Sequence, residues 1–120
     1  MLAAILESGD LHRLYTGLSL LVSAAADGTP ARGLVSFGAL EPLLADDLEQ
    51  RAAVHGATFG RTLAALRDTA AELPDCRLWA CAAAVETTGA DPGAIAARLD
   101  GVLSTPRFLR ETEGARLVVV

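Results

Sequence analysis

The residue best suited to chemistry is Cys81, which lies between the apolar segment 76–80 and the alanine-rich segment 82–84. This pattern predicts a buried strand that ends at the cysteine and a helix that begins directly after it. Free N–H groups at a helix start favour negative charge, so a thiol there should be more acidic than a free one. A second interpretation stays open, in which Cys81 is a small buried hydrophobe with a structural role.

The other titratable candidates are the second cysteine, Cys76, and the two histidines, His12 and His55. Cys76 begins the same predicted strand, and five residues of strand span about 16 Å, so its sulfur cannot bond to that of Cys81 within one chain. We therefore expect Cys76 to be structural. The histidines show no metal-ligand spacing with the cysteines, and we expect neither a metal nor another cofactor. His12 is predicted to be solvated, whereas His55 could act as a base near Cys81 or belong to the surface.

Several small or hydroxyl-bearing residues follow predicted strands, at the edge where open parallel sheets bind ligands. They are Ser8, Gly9, Ser36 and Thr105. These positions could bind a small anion or a nucleotide. We also expect the backbone N–H groups of Ala82 and Ala83 to stabilise an anionic sulfur on Cys81. The chain contains no nucleophile elbow, phosphate-binding loop or dinucleotide fingerprint.

The length and the composition predict that the chain forms a single domain, residues 1–120. The chain has 120 residues, of which 52% are apolar and 21% charged, a globular rather than a disordered composition. The net charge of −5 argues against binding to nucleic acid or to an anionic membrane. No apolar segment approaches the roughly 20 residues of a membrane span, and the N-terminus lacks the features of a signal peptide. We therefore expect a cytoplasmic protein.

Hydrophobic patterning predicts the elements that position the candidate residues. Apolar runs predict strands at 1–6, 31–37, 76–81, 102–103 and 115–120, and helical periodicity fills most of the segments between them. The acidic segment 38–58 is the least regular and contains one short predicted helix. Phe108 and Leu109 are predicted to pack inward from the last helix. Strands that are apolar throughout indicate burial on both faces, so we expect a three-layer α/β/α sandwich with a parallel sheet of about five strands.

Three blocks of sequence, in this order and spacing, resemble a known family. They are Glu7–Asp10 before the leucine-rich helix, Leu78–Val85 around Cys81, and Gly101–Ser104 continuing through Phe108-Leu109 to Leu117–Val120. The chain resembles the DsrE/DsrF-like sulfur-relay family along nearly its full length. The acidic segment 41–58 departs from the loops of that family, so the sulfur donor and the acceptor stay undefined.

The resemblance implies a DsrE-like, flavodoxin-like sandwich that assembles into homo-oligomers, as a trimer or a hexamer, and the composition fits a dimer equally well. It implies that Cys81, at the position of the family's cysteine, accepts sulfane sulfur as a persulfide and passes it on. We therefore expect a small sulfur carrier, a possible sulfurtransferase, whose partners are donor and acceptor proteins or small persulfides. Two alternatives stay open: a non-catalytic oligomeric binding or assembly module, and a binder of small anions or nucleotides at the strand ends.

Overall fold

A five-stranded parallel sheet forms the centre of the computed structural model, which describes all residues from Met1 to Val120. The strands are β1 (Leu2–Leu6), β2 (Ala31–Val35), β3 (Cys76–Cys81), β4 (Val102–Leu103) and β5 (Arg116–Val119). The helices are α1 (Leu11–Ala26), α2 (Phe37–Leu44), α3 (Leu48–Ala52), α4 (Ala57–Glu72), α5 (Ala82–Thr88), α6 (Pro92–Arg98) and α7 (Thr105–Glu111), with a 3₁₀ turn at Ala53–His55. None of these helices combines the length and the apolar character that crossing a membrane requires.

The strand order β4-β3-β2-β1-β5 determines where the helices lie. The connections from β1 to β4 all advance in one direction, and the connection from β4 to β5 returns across the sheet. Because such crossovers are right-handed, α7 must lie on the face opposite the other helices. Accordingly, α1 packs on β1 and β2 and α4 packs on β3, while Phe108 of α7 contacts Trp79 on the other face. The three-layer α/β/α sandwich predicted from the sequence is confirmed.

The likeness to flavodoxin concerns the layers and not the order of the strands. In this chain the order reverses between β1 and β5, whereas the flavodoxin order 2-1-3-4-5 reverses between β1 and β3. The carboxyl ends of β1, β2, β3 and β4 therefore follow one another along one edge of the sheet in chain order. This arrangement brings the ends of β2 and β3 side by side.

Helix α1 illustrates how the sequence builds the thicker helical layer. Asp10 accepts hydrogen bonds from the backbone N–H groups of His12 at 2.8 Å and Arg13 at 3.2 Å, which caps the helix start. Leucines at helical spacing then form the buried stripe of the helix. Gly17 lets this stripe approach the sheet, because a Cβ at that position would collide with the side chain of Leu6.

Two predictions about the middle of the chain are corrected. The second strand ends at Val35 rather than at residue 37, because Phe37 adopts a φ of 33° and begins α2. The segment 38–58 is more regular than expected, since it contains most of α2, all of α3 and the 3₁₀ turn. Helices of one or two turns are too short to show a clear period, so the sequence pattern underestimates them.

Two predictions about the C-terminal part are wrong as well. Leu109 is exposed rather than buried, because the seven-residue helix α7 turns only Phe108 toward the sheet. The last strand is not buried on both faces, since β5 is an edge strand in which Val119 is 59% exposed. The second helical layer is therefore thin, and part of the apolar sheet lies uncovered beneath it.

Candidate active site at Cys81

The register of the sheet brings three polar positions together at its carboxyl edge. Val35 of β2 pairs with Ala80 of β3, so the residues that follow, Ser36 and Cys81, end neighbouring strands at the same level. On the other side Leu103 of β4 pairs with Cys81, and α7 begins two residues later at Thr105. Cys81 therefore lies between Ser36 and the first residue of α7.

Cys81 also stands at the start of α5, in the N-cap position with φ −66° and ψ 125°. This extended conformation lets the strand continue to the cysteine, and the N–H groups of Ala83 and Ala84 then come near its sulfur. The sulfur lies beyond the limits of a formal capping hydrogen bond. These N–H groups therefore act on the thiol as nearby oriented dipoles.

The Ser36 side chain supplies a second kind of donor. A serine that precedes a helix ordinarily caps it through its hydroxyl, but Ser36 makes no such bond to α2. Its hydroxyl instead lowers the pKa of the Cys81 thiol, as does the hydroxyl of Thr105, without a formal hydrogen bond to the sulfur. The residue Ser36 as a whole is only 6% exposed.

The electrostatic balance at Cys81 favours the thiolate. Burial raises the pKa of the thiol and is the largest single effect. The N–H of Ala84, the hydroxyl of Ser36, the N–H of Ala83 and the hydroxyl of Thr105 lower it, and together they outweigh burial, so the pKa of Cys81 lies below its ordinary value. All four groups are neutral donors, and no cationic side chain is needed to produce the shift.

Access to the sulfur is narrow. Cys81 is 4% exposed, and it lines none of the four surface cavities. Its neighbours Ala83 and Thr105 are exposed, which places the thiol just below the surface. The site therefore suits a reagent that presents a single small atom, or one that enters after a slight displacement of α7.

The other strand-end residues have different roles. The Ser8 hydroxyl accepts a hydrogen bond from the N–H of Asp10 at 3.1 Å, and so belongs to the turn that precedes α1. Gly9 packs against Gly38, where a Cβ would lie 2.9 Å from the Gly38 carbonyl oxygen. Neither Ser8 nor Gly9 is among the groups that act on Cys81, and the same holds for Ala82.

The sequence predicts that the N–H of Ala83 acts on Cys81, and this N–H is among the groups that lower the pKa of the thiol. The hydroxyls of Ser36 and Thr105 are predicted only as possible anion-binding groups, and the N–H of Ala84 is not predicted at all, yet all three are among the groups that act on the thiol. The sequence signal for Ser36 is that it follows the apolar residues of β2, just as Cys81 follows those of β3. Two residues in such positions can lie side by side where neighbouring strands end. Using that signal requires the register of the two strands, which sequence periodicity does not supply.

Cys76 and the histidines lie in other surroundings. Burial, and secondarily the charge of Asp100, raises the pKa of Cys76 to about 11, although Arg32 acts in the opposite direction. Cys76 is buried and unpaired, in agreement with the expected structural role. His12 is solvated as predicted, and its ring centroid lies 4.4 Å from that of His55. No histidine is among the groups that shift the pKa of Cys81.

Comparison with protein-family models and with characterised proteins gives no match for this chain. The class of protein that the fold and site define is an α/β/α sandwich with a polarised cysteine at the carboxyl edge of its sheet. Any function for it must therefore be argued from the surroundings of Cys81.

The two thiols should ionise in different pH ranges. In Cys76→Ser protein, the ultraviolet absorbance of the Cys81 thiolate should appear with a midpoint below 9.0, because the surrounding donors favour the anion. In Cys81→Ser protein, the Cys76 thiolate should appear only near pH 11, because burial disfavours it. Circular dichroism at each pH confirms that the protein is folded. A Cys81 midpoint at or above 9.0 would contradict the electrostatic balance described above.

Replacing Ser36 by alanine should weaken the thiolate. A hydroxyl donor contributes about 0.5–1.5 kcal/mol, and the more basic thiolate that remains is a better nucleophile, so alkylation of Cys81 by iodoacetamide at neutral pH should slow by about two-fold or more in Ser36→Ala. Ser8→Ala is the matched control, because it removes a serine hydroxyl from the end of the neighbouring strand β1 without touching Cys81. Equal alkylation rates in the two variants would show that the Ser36 hydroxyl does not act on the sulfur.

Proposed function

We propose that the protein is a small sulfur carrier of the DsrE-like type that holds sulfane sulfur as a persulfide on Cys81. The observation that carries the proposal is the convergence of four neutral donors, from α5, from the end of β2 and from α7, on one thiol of lowered pKa. The resemblance of the segment around Cys81 to the cysteine motif of the sulfur-relay family supports the same assignment. Cys76 lies at the opposite edge of the sheet and takes no part.

The proposed transfer moves one sulfur atom without net oxidation. The Cys81 thiolate attacks the outer sulfur of a donor persulfide, R–S–SH. The new bond is Cys81 S–S, the donor S–S bond breaks, and the donor leaves as the thiolate R–S⁻. In the second step an acceptor thiolate attacks the outer sulfur of Cys81–S–SH and releases the Cys81 thiolate.

The neutral donors suit such a carrier because the charge in the site changes position during the cycle. The anion sits on the Cys81 sulfur before transfer and on the outer sulfur of the deprotonated persulfide afterwards. The hydroxyl groups of Ser36 and Thr105 can rotate and so donate to either sulfur. A fixed ion pair would favour the anion on only one of the two sulfurs.

The narrow access favours a small donor, such as an inorganic polysulfide or a low-molecular-weight persulfide, or a protein donor that presents its sulfur on a protruding chain. A persulfide on Cys81 needs a compartment in which free thiols are maintained, so we assign the protein to the cytoplasm. The acceptor would approach the same edge of the sheet, over the exposed residues Ala83 and Thr105.

One observation favours the alternative of a non-catalytic binding or assembly module. Cys81 is only 4% exposed, as a cysteine that merely fills space between β3 and α5 would be. The carrier requires that this sulfur can be modified in the folded protein, whereas the assembly module expects that it cannot. An experiment can therefore distinguish the two functions directly.

Treatment with inorganic polysulfide tests the carrier proposal. The intact mass of the wild-type chain and of Cys76→Ser should rise by whole sulfur atoms, and dithiothreitol should reverse the gain. Cys81→Ser should show no gain, because Cys76 is buried with a raised pKa. An unmodified Cys81 in folded protein, with modification appearing only after unfolding in urea, would contradict the carrier and support the assembly module.

We further propose that the carrier is a homo-oligomer that covers the thin face of its sheet. Trp79, Leu34, Ile5 and Val119 pair across four strands and so form one row on one face. The helix α7 covers this row near Trp79 and leaves Val119 exposed at the edge strand. An exposed apolar residue on an unpaired edge strand is typical of a surface that a second copy covers.

A charge on this row should separate the subunits. Light scattering should give a mass above that of the monomer for the wild-type chain and a lower mass for Val119→Glu, because association would bury an unpaired carboxylate. Val54→Glu is the control, since Val54 is exposed in the 3₁₀ turn, outside this row. A wild-type chain that is monomeric at all working concentrations would contradict the proposed oligomer.

A further inference from the structure

Helix α7 lies over Cys81, yet few interactions attach it to the rest of the protein. It belongs to the α7 segment, residues 104–115, which joins β4 to β5. The capping and turn hydrogen bonds of this segment all stay within it. None of the five ion pairs of the structure includes one of its residues. Side-chain packing is therefore what holds α7 against the sheet.

That packing depends mainly on one aromatic side chain. Phe108 and Thr112 are the only buried residues of the α7 segment. The Thr112 hydroxyl donates a hydrogen bond to the carbonyl oxygen of Phe108 at 2.7 Å, so it serves its own helix. Phe108 is fully buried, and its ring meets the ring of Trp79 edge to face, with 6.3 Å between the centroids. The Phe108 ring is therefore the main anchor of α7.

The anchor and the thiol belong to the same interface between helix and sheet. Trp79 and Cys81 are two residues apart in β3, so they lie on one face of the sheet. Thr105 and Phe108 are three residues apart in α7, so they lie on one face of the helix. Phe108 therefore rests on Trp79 while Thr105, one turn earlier, brings its hydroxyl near Cys81. A movement that lifts Phe108 from Trp79 also uncovers the sulfur.

The two ends of the α7 segment are fixed to the sheet, and one of them contains a flexible residue. Leu103 pairs with β3 directly before the segment, and Arg116 donates a backbone hydrogen bond to the Met1 carbonyl oxygen directly after it. Gly114 adopts a φ of 79°, and no heavy atom lies within 4 Å of the place where its Cβ would be. This glycine has the backbone freedom of a hinge. The segment can therefore swing while β4 and β5 stay paired.

We propose that α7 is a lid over Cys81, which opens about Gly114 when the Phe108 ring leaves its place beside Trp79. The closed lid keeps the Thr105 hydroxyl near the sulfur and excludes large reagents, whereas the open lid admits them. A cysteine that is only 4% exposed can then react without unfolding of the protein. The role of the lid in sulfur transfer rests on the proposed function, but the lid itself concerns only the exposure of the sulfur.

Alkylation of Cys81 by iodoacetamide tests the lid without any sulfur donor. All proteins carry Cys76→Ser, so that only Cys81 reacts. Phe108→Ala should speed alkylation by at least about ten-fold, because the loss of a buried ring favours the open lid by more than the roughly 1.4 kcal/mol that a factor of ten requires. Leu63→Ala is the matched control, since Leu63 is equally buried but belongs to α4 on the other face of the sheet. This variant should lose stability without faster alkylation.

The dependence of the alkylation rate on urea separates opening of the lid from global unfolding. A local opening exposes little surface, so the rate in the Cys76→Ser protein should stay nearly constant in urea well below the unfolding midpoint. Should Phe108→Ala fail to fold, Phe108→Leu removes the aromatic contact and should still speed alkylation by about two-fold or more.

Two results would overturn the lid. One is an equal alkylation rate in the Cys76→Ser protein and in the Phe108 variant that folds. The other is a rate that rises with urea as steeply as the unfolding equilibrium does. Neither result depends on whether Cys81 accepts sulfur from polysulfide, so failure of the lid and failure of the carrier can be told apart.

Discussion

The parallel pairing of β2 with β3 is the constraint on which the rest of the site depends. Its register makes Ser36 and Cys81 end their strands at the same level, and the following residues then start two separate helices. A shift of one residue would turn Ser36 to the opposite face of the sheet, away from Cys81. The surroundings of the thiol are therefore set by a hydrogen-bonded ladder whose members lie many residues apart in sequence.

The turn after Ser36 shows that this arrangement carries a conformational cost. Phe37 adopts a φ of 33°, a left-handed conformation that residues other than glycine rarely take. Such a conformation costs about 1–3 kcal/mol and persists where the surrounding structure requires it. Here it lets α2 begin directly after the serine, so that the serine stays in line with its strand and faces the sulfur rather than the helix.

The sequence predicts the layers of this fold well because long apolar runs and long helical stripes carry strong periodic signals. Asp10 and Asp91 cap the starts of α1 and α6 through their side chains. The errors fall where tertiary context decides. Leu109 and β5 are apolar like buried elements, but Leu109 faces away from the sheet on α7, and the strand order places β5 at an edge. The candidate nucleophile could be located from its position between a strand and a helix, whereas the hydroxyl of Ser36 depends on the register of two strands that are distant in the sequence.

The short helix α2 has a consequence that reaches beyond the sulfur site. Its eight residues span about 12 Å; one end follows Ser36, and the carbonyl groups at the other end are fastened by Arg67. Pro42 lies within this helix and has no N–H to donate, so the helix lacks one internal hydrogen bond. The two bonds from Arg67 supply part of the hydrogen bonding at its end, so the position of α2, and with it the turn after Ser36, depends on a side chain of another helix.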